Sequence, residues 1–246
     1  FDAEANETAA SFVREKVRET VHDPGVAELL MPHGVIGCRR LCVDTGFHAT
    51  FNRDNVTLVN VRETPIERIY TDGMVVGTKI YALDAIVFAT GFDAMTGALL
   101  KIDIRGSGGC SLRDKWAEGP HAYLGLTLAG FPNLFTITGP GSPSVFTNMI
   151  PSIEQHVVWI ADCIAHLREN GFARIEATED AEDAWIAHVA DVANHHLRAS
   201  CGSWYLGANI PGKPRVFMPY IGGFPTYVQK CDEIVAKGYV GFALSA

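Results

Sequence analysis

Two adjacent arginines, Arg39 and Arg40, follow the glycine turn Gly37-Cys38 and precede a β-type run. A guanidinium group keeps its charge and offers several N–H donors, so an arginine beside such a turn can bind a phosphate or a developing oxyanion. Adjacent arginines are also common as solvated surface charge. The residue types alone leave both interpretations open.

A second candidate site lies at residues 139–144, which nearly match the dinucleotide-binding pattern GxGxxG. Pro140 and Pro143 remove two amide donors from this loop, which argues against pyrophosphate binding. The helix predicted to follow has unpaired N–H groups and a positive dipole end near Asn148 and Met149. We expect that end to suit partial negative charge on a ligand ring or a carboxylate.

Three other patterns are given less weight. Residues 207–214 nearly match the phosphate-binding GxxxxGK[ST] loop, but Pro214 replaces the magnesium-binding hydroxyl residue and cannot continue a helix. His188, Asp191 and His195 share a helical face, and without a fourth ligand at a characteristic spacing they are interpreted as polar surface. No GxSxG sequence is present, which argues against a Ser-His-Asp hydrolase. We therefore predict no metal site.

Hydrophobic periodicity and turn residues predict helices on both sides of a β-rich section. Helices are expected at residues 4–21, 24–30, 153–167, 181–197 and 228–237. In the third of these, we expect one apolar stripe to face the core, namely Ile153, Val157, Ile160, Ile164 and Leu167.

Short β-rich runs are predicted at residues 56–61 and 74–76. Two further runs, residues 85–89 and 134–138, are apolar without alternation and end in glycine turns, as is typical of strands buried on both faces. Ligands bind at the carboxyl ends of such strands. The predicted fold class is therefore α/β with a nucleotide-binding architecture.

The amino-acid composition limits the partners and the compartment that we expect for this protein. The 246 residues include 28 acidic and 20 basic side chains, giving a net charge of -8, so we expect no nucleic-acid partner. No apolar run reaches the ~20 residues that cross a bilayer, so we expect no membrane insertion. Six cysteines without a CxxC pair, together with the lack of a signal peptide, predict free thiols in the cytoplasm.

Six segments form a pattern that covers nearly the whole chain: residues 37–46, 51–56, 89–93, 139–143, 152–156 and 204–217. In order and at these separations, they resemble the C-terminal half of a Baeyer-Villiger monooxygenase of the phenylacetone or cyclohexanone type. The resemblance implies a flavoprotein with one dinucleotide-binding domain for FAD and one for NADPH. It also implies that a peroxyflavin formed with O2 inserts one oxygen atom beside a ketone carbonyl, giving an ester or lactone.

The resemblance implies roles for individual residues. Arg40 falls on the family's catalytic arginine, whose permanent charge stabilises anionic oxygen, and Arg39 falls on a basic residue that contacts the 2'-phosphate of NADPH. Trp204 falls on an indole that contacts the nicotinamide nucleotide. The remaining positions are Gly91, Asn148 and Met149 for cofactor binding and Ser144, Val145 and Phe146 for the ketone pocket.

The family's upstream glycine loops and its FxGxxxHxxxW fingerprint are not found in this sequence. We therefore expect a fragment that lacks the N-terminal half and is inactive in isolation. By the family pattern, residues 1–35 end a helical insertion, 36–85 end the NADPH domain and 86–246 end the FAD domain. The alternatives are a heteroatom-oxidising flavin monooxygenase, against which the segment around Trp204 argues, and a non-catalytic remnant or binding module of the same scaffold.

Overall fold

The computed structural model describes residues 2–246, which form two compact units, Asp2–Gly91 and Phe92–Ala246, called here the first and the second unit. The helices are α1 Ala3–Thr20, α2 Pro24–Leu30, α3 Phe47–Thr50, α4 Gly97–Leu100, α5 Leu112–Lys115, α6 Met149–Glu169, α7 Glu179–Asn194 and α8 Phe224–Ala236. The strands are β1 Ile66–Tyr70, β2 Gly73–Val76, β3 Lys79–Ala82, β4 Arg174–Ala177 and β5 Phe242–Ser245. This mixture confirms the α/β class. No helix within residues 2–246 has both the length and the apolar character needed to cross a membrane.

In the first unit, α1 and α2 pack against each other and a small sheet follows them. Asp2 caps α1 by accepting from the N–H of Glu4, and Asp23 caps α2 by accepting from the N–H of Gly25. Both predicted helices are confirmed. Their shared buried cluster contains Val17, Val21, Ala27 and Met31. The strands β1, β2 and β3 pair antiparallel in that order, which confirms the predicted run at residues 74–76.

Three other predicted strands do not form. Residues 56–61, 85–89 and 134–138 have no strand pairing within the described part of the chain. A strand exists only where a neighbour supplies backbone hydrogen-bond partners, and a doubly buried strand also needs layers on both faces. Here Val87 is 88% exposed and Phe88 is 69% exposed. The prediction of a β-run at residues 56–61 and of doubly buried strands at residues 85–89 and 134–138 is therefore wrong for this structure.

In the second unit, α6 runs through the main apolar core. The helix predicted at residues 153–167 is confirmed, but its buried face shares only Leu167 with the expected stripe. The buried residues are Ser152, His156, Trp159, Cys163 and Leu167, whereas Val157 is 46% exposed and Ile164 is 38% exposed. The most apolar stripe was expected to be buried, yet polar His156 takes a core position because its ring nitrogens find partners there.

The helices predicted at residues 181–197 and 228–237 are also confirmed, as α7 and α8. Glu182 of α7 is 2% exposed, accepts from Lys115 Nζ at 2.7 Å and accepts from the Ala129 N–H at 3.0 Å. A buried carboxylate needs such compensation, because burying an unpaired charge is costly. Glu182 therefore fixes α7 against α5 and the chain around Ala129.

Free thiols occur at Cys42, Cys110, Cys163 and Cys231. Burial raises the pKa of the Cys163 thiol to about 11 and that of Cys231 to about 12, so both remain protonated packing groups. Cys38 and Cys201 are not among these free thiols, so the expectation of free thiols is wrong for these two.

Candidate functional site

A pocket of about 530 Å³ opens in the second unit, within the roughly 300–1,000 Å³ usual for small-molecule sites. Ser144, Val145, Met149 and Trp204 all line it, although they come from separate parts of the sequence. Most of the remaining lining residues are apolar. The structure therefore brings four of the predicted site residues together around one cavity.

The N-terminus of α6 supplies polar groups at the edge of this pocket. The Asn148 side chain caps the helix by accepting from the N–H of Ile150 at 3.2 Å, and Pro151 has no N–H to satisfy. Since the first four N–H groups of a helix lack intrahelical acceptors, this leaves those of Asn148 and Met149 for a ligand. The helix dipole adds a partial positive charge there.

Backbone strain is concentrated in the pocket wall. Met95, Thr138 and Ser144 line the pocket with φ of 69°, 54° and 42°. Positive φ is uncommon outside glycine and costs of order 1–3 kcal/mol in sparsely populated regions, most clearly for β-branched Thr138. Ser144 Oγ lies 3.6 Å from Met95 Sδ, and the Ser144 carbonyl accepts from Thr147 Oγ1 at 3.1 Å. Such strain persists only where the surrounding contacts hold it, and it commonly marks functional sites.

A salt bridge anchors the loop that carries Trp204. Lys213 Nζ pairs with the Asp93 carboxylate and donates to the Ala94 carbonyl at 3.2 Å, while Asn209 donates to the Phe92 carbonyl at 2.9 Å. Lys213 belongs to residues 207–214, which nearly match a phosphate-binding loop. Its structural use is to hold the loop against the segment that leads into the pocket wall.

Phe146 does not line the pocket. Its ring lies 4.7 Å from the Tyr205 ring and 5.9 Å from the Phe217 ring, measured between centroids. The Arg198 guanidinium lies over the same ring at 5.3 Å. Phe146 therefore packs behind the wall, and sequence reasoning did not distinguish it from Ser144 and Val145.

His156 is a buried residue of the site that falls within the segment 152–156 but has no predicted role of its own. Its Nδ1 accepts from the Thr138 N–H at 2.9 Å, and its Nε2 lies 3.0 Å from Tyr227 Oη. Burial lowers the pKa of this imidazole to about 4. His156 is therefore neutral at physiological pH and contacts the backbone of the pocket wall.

The other predicted residues lie in the first unit. Arg39 and Arg40 have exposed side chains in the loop after Gly37, which adopts φ of 90°. Asn6 of α1 fixes the start of this loop, because its amide pairs with both the carbonyl and the N–H of Ile36 at 2.9 Å. Gly91 has φ of 87° and no atom within 4 Å of the position of a Cβ.

Potential metal ligands come together at His121, Glu182 and Asp183, with ligand atoms within 4.8 Å of one another. Glu182 already pairs with Lys115 and the Ala129 N–H, which engages its carboxylate. His195 Nδ1 is 2.8 Å from the carbonyl of Asp191 rather than its carboxylate. The arrangement gives no reason to place a metal at either position.

No family model matches the chain. Two curated relatives are each 42% identical to it: acetone monooxygenase (methyl acetate-forming) from Gordonia sp. (strain TY-5), over 99% of this chain and 46% of the relative, and a Baeyer-Villiger monooxygenase from Pseudooceanicola batsensis, over 96% and 43%. An oxidised steroid monooxygenase bound to NADP is 50% identical with a TM-score of 0.92, covering 99% of this chain and 46% of that one. OTEMO in complex with FAD and NADP is 39% identical with a TM-score of 0.93, and the match covers 99% of this chain and 45% of that one. The chain thus spans about half the length of the curated relatives it matches.

Replacing Lys213 by Met should release the Trp204 loop. Loss of a charged hydrogen bond worth about 1.5 kcal/mol predicts roughly tenfold faster chymotryptic cleavage after Trp204 or Tyr205. Limited proteolysis followed by mass spectrometry measures this rate. Exposed Lys237→Met is the control and should leave the rate unchanged. Equal cleavage rates in all three proteins would refute the anchoring role.

His156 should make the protein less stable as pH falls. Its pKa is about 4 when folded and 6.5 when unfolded, so below pH 6.5 the unfolded chain takes up a proton that the folded chain does not. The resulting loss of unfolding free energy is about 2.5 kcal/mol at pH 4.5 and levels off below pH 4. Urea unfolding of wild type and His156→Gln at pH 7, 5.5 and 4.5 should show their stability difference changing by that amount. A pH-independent difference would contradict the assigned pKa.

Proposed function

We propose that this chain, which belongs to the Baeyer-Villiger monooxygenase family, forms the C-terminal half of an enzyme that inserts one oxygen atom from O2 beside a ketone carbonyl. The product is an ester or lactone, and the cofactors are FAD and NADPH. The observation that carries this proposal is the pocket in which Ser144, Val145, Met149 and Trp204 meet at the start of α6. Residues 1–35, 36–85 and 86–246 are proposed to end the helical insertion, the NADPH domain and the FAD domain.

The residues around the pocket fit a flavin ring. Apolar walls suit the flat faces of the ring, and the N–H groups of Asn148 and Met149 can donate to its electron-rich edge. When bound, FAD that NADPH has reduced supplies the oxygen chemistry. The part of this chain is to hold the ring edge at a positive helix end and to keep water from the apolar walls.

The remaining site residues are proposed to stabilise charge on the reacting oxygen or to bind and position the cofactors. The guanidinium of Arg40 stabilises negative charge that develops on the reacting oxygen, and Arg39 binds the 2'-phosphate of NADPH. Trp204 offers a flat apolar surface for the nicotinamide nucleotide. Gly91 lets the cofactor approach the backbone, because its positive φ and open surroundings leave no side chain in the way.

The substrate is proposed to be a ketone shaped to the wall formed by Ser144 and Val145. These two residues lie beside Met149, so a ketone bound there would meet the flavin edge at the α6 N-terminus. Phe146 supports this wall from behind through its contacts with Tyr205 and Phe217. Changes at Phe146 are therefore proposed to alter ketone preference indirectly.

The test requires the full-length protein encoded by the complete reading frame. A purified yellow protein should consume NADPH faster when a cyclic or aryl ketone is added and should transfer one atom of 18O2 into an ester. Mass spectrometry identifies the product. Oxidation of a thioether without any ester from ketones would favour the heteroatom-oxidising alternative. A colourless protein that ignores NADPH would favour the non-catalytic remnant.

Arg40→Ala in that full-length protein should abolish ester formation while FAD remains bound. Loss of one group that stabilises developing negative charge commonly lowers the rate about 100- to 1,000-fold. The visible spectrum reports bound FAD, and product analysis reports the ester. Exposed Arg62→Ala in the same unit is the matched charge control. An undiminished ester yield in Arg40→Ala would remove Arg40 from the reaction.

A further inference from the structure

A buried chain of hydrogen bonds links the pocket wall to α8 through His156. The ring of His156 is fully buried, and its Nδ1 accepts from the Thr138 N–H at 2.9 Å. Its Nε2 lies 3.0 Å from Tyr227 Oη, and the Tyr227 hydroxyl donates to the Leu124 carbonyl at 2.8 Å. Tyr227 is likewise fully buried. Each polar side-chain atom of His156 and Tyr227 therefore has a hydrogen-bond partner within the core.

The donors and acceptors fix the tautomer of His156. A backbone N–H can only donate, so Nδ1 must be unprotonated towards Thr138. The single hydroxyl proton of Tyr227 goes to the Leu124 carbonyl, which can only accept. A neutral imidazole carries one N–H, so the proton lies on Nε2, which donates to Tyr227 Oη. The ring is therefore neutral with its proton on Nε2, as its burial also requires.

The backbone is strained at both ends of this series of hydrogen bonds. Thr138 has φ of 54° and Leu124 has φ of 60°, and neither is glycine. Two contacts couple the segments that carry them: Thr136 Oγ1 donates to the Gly125 carbonyl at 2.9 Å, and the Thr136 N–H donates to the Leu126 carbonyl at 2.8 Å. Strained backbone stays in place only where its surroundings over-determine it. The His156 ring supplies one of the contacts that do so.

We propose that His156 is a positioning residue, whose neutral imidazole holds the Thr138 peptide of the pocket wall at a set distance from the α6 N-terminus. This rests on the proposed function, in which that pocket holds the flavin ring. His156 and Met149 lie on the same rigid helix, seven residues or about 10 Å apart. Thr138 and Met149 both line the pocket, so the ring ties two of its sides together.

The first measurement is independent of any cofactor. Hydrogen exchange of the Thr138 amide in the full-length protein should be protected in wild type and in His156→Gln, whose amide can accept from Thr138 and donate to Tyr227. His156→Leu keeps apolar volume but removes both bonds, so exchange at Thr138 should be about tenfold faster or more. Unchanged protection in His156→Leu would overturn the proposal.

A second measurement needs no variant of His156 and covers the case in which His156→Leu does not fold. In 15N-histidine-labelled wild type, the ring of His156 should show a protonated Nε2 and an unprotonated Nδ1 near neutral pH. The opposite tautomer, or a mixture of both, would overturn the proposal. Tyr227→Phe, which removes the acceptor of Nε2–H, should shift the Nε2 resonance while the ring stays buried.

Flavin affinity then tests the consequence for the site. His156→Leu should bind FAD at least about tenfold more weakly with an altered visible spectrum, and His156→Gln should remain within about threefold of wild type. Cys163→Ala is the matched control, because Cys163 is a fully buried residue on the same face of α6 and does not line the pocket. It should lower stability without changing the spectrum. Equal FAD loss in Cys163→Ala and His156→Leu would reduce His156 to general stability and overturn the proposal.

The two hypotheses fail in different ways. A wild-type protein that binds no FAD contradicts the proposed function but leaves the exchange and tautomer measurements valid as tests of His156. A wild-type protein that binds FAD while His156→Leu keeps both wild-type affinity and Thr138 protection contradicts only the positioning role.

Discussion

The shape of the pocket depends on backbone conformations that its own residues disfavour. Met95, Thr138 and Ser144 line it with positive φ, and Leu124, which has the same feature, is linked to Thr138 through Tyr227 and His156. Each costs of order 1–3 kcal/mol and has to be offset by packing and hydrogen bonds nearby. The contacts that do so are made within the protein itself, between the pocket wall, α6 and the residues near Gly125.

The walls are irregular chain segments, and side chains from regular elements hold them. His156 of α6 holds residue 138, Asn148 and Thr147 hold the turn before α6, and Lys213 holds the segment that leads into Met95. Behind them, Glu182 fixes α7 to α5 by a buried ion pair. This is the usual division in proteins, where a rigid scaffold positions functional loops. Precision in the site therefore comes from polar contacts that lie outside the pocket itself.

Local signals in the sequence predicted the helices well, whereas long-range contacts could not be predicted from them. The Asp23-Pro24 cap and the apolar periodicity of α1, α2 and α6 act within one or two turns, and these helices formed as expected. The partners of His156 and Lys213 lie 18, 71 and 120 residues away along the chain. Spacing alone carries no sign of such pairs, so both residues were missed. The pocket residues were reached through the family resemblance, and periodicity alone left them undecided.

The failed strand predictions have a physical meaning of their own. Residues 85–89 have the composition of a strand buried on both faces, yet Val87 and Phe88 are largely exposed and the backbone is unpaired in the described chain. Burying one such side chain is worth about 1.5–3 kcal/mol, so the sequence strongly favours a partner layer here. The exposed Val157 and Ile164 of α6 express the same preference in the second unit. Apolar composition alone therefore does not place these side chains in the core, whereas the buried hydrogen bonds that hold the pocket wall lie within the second unit.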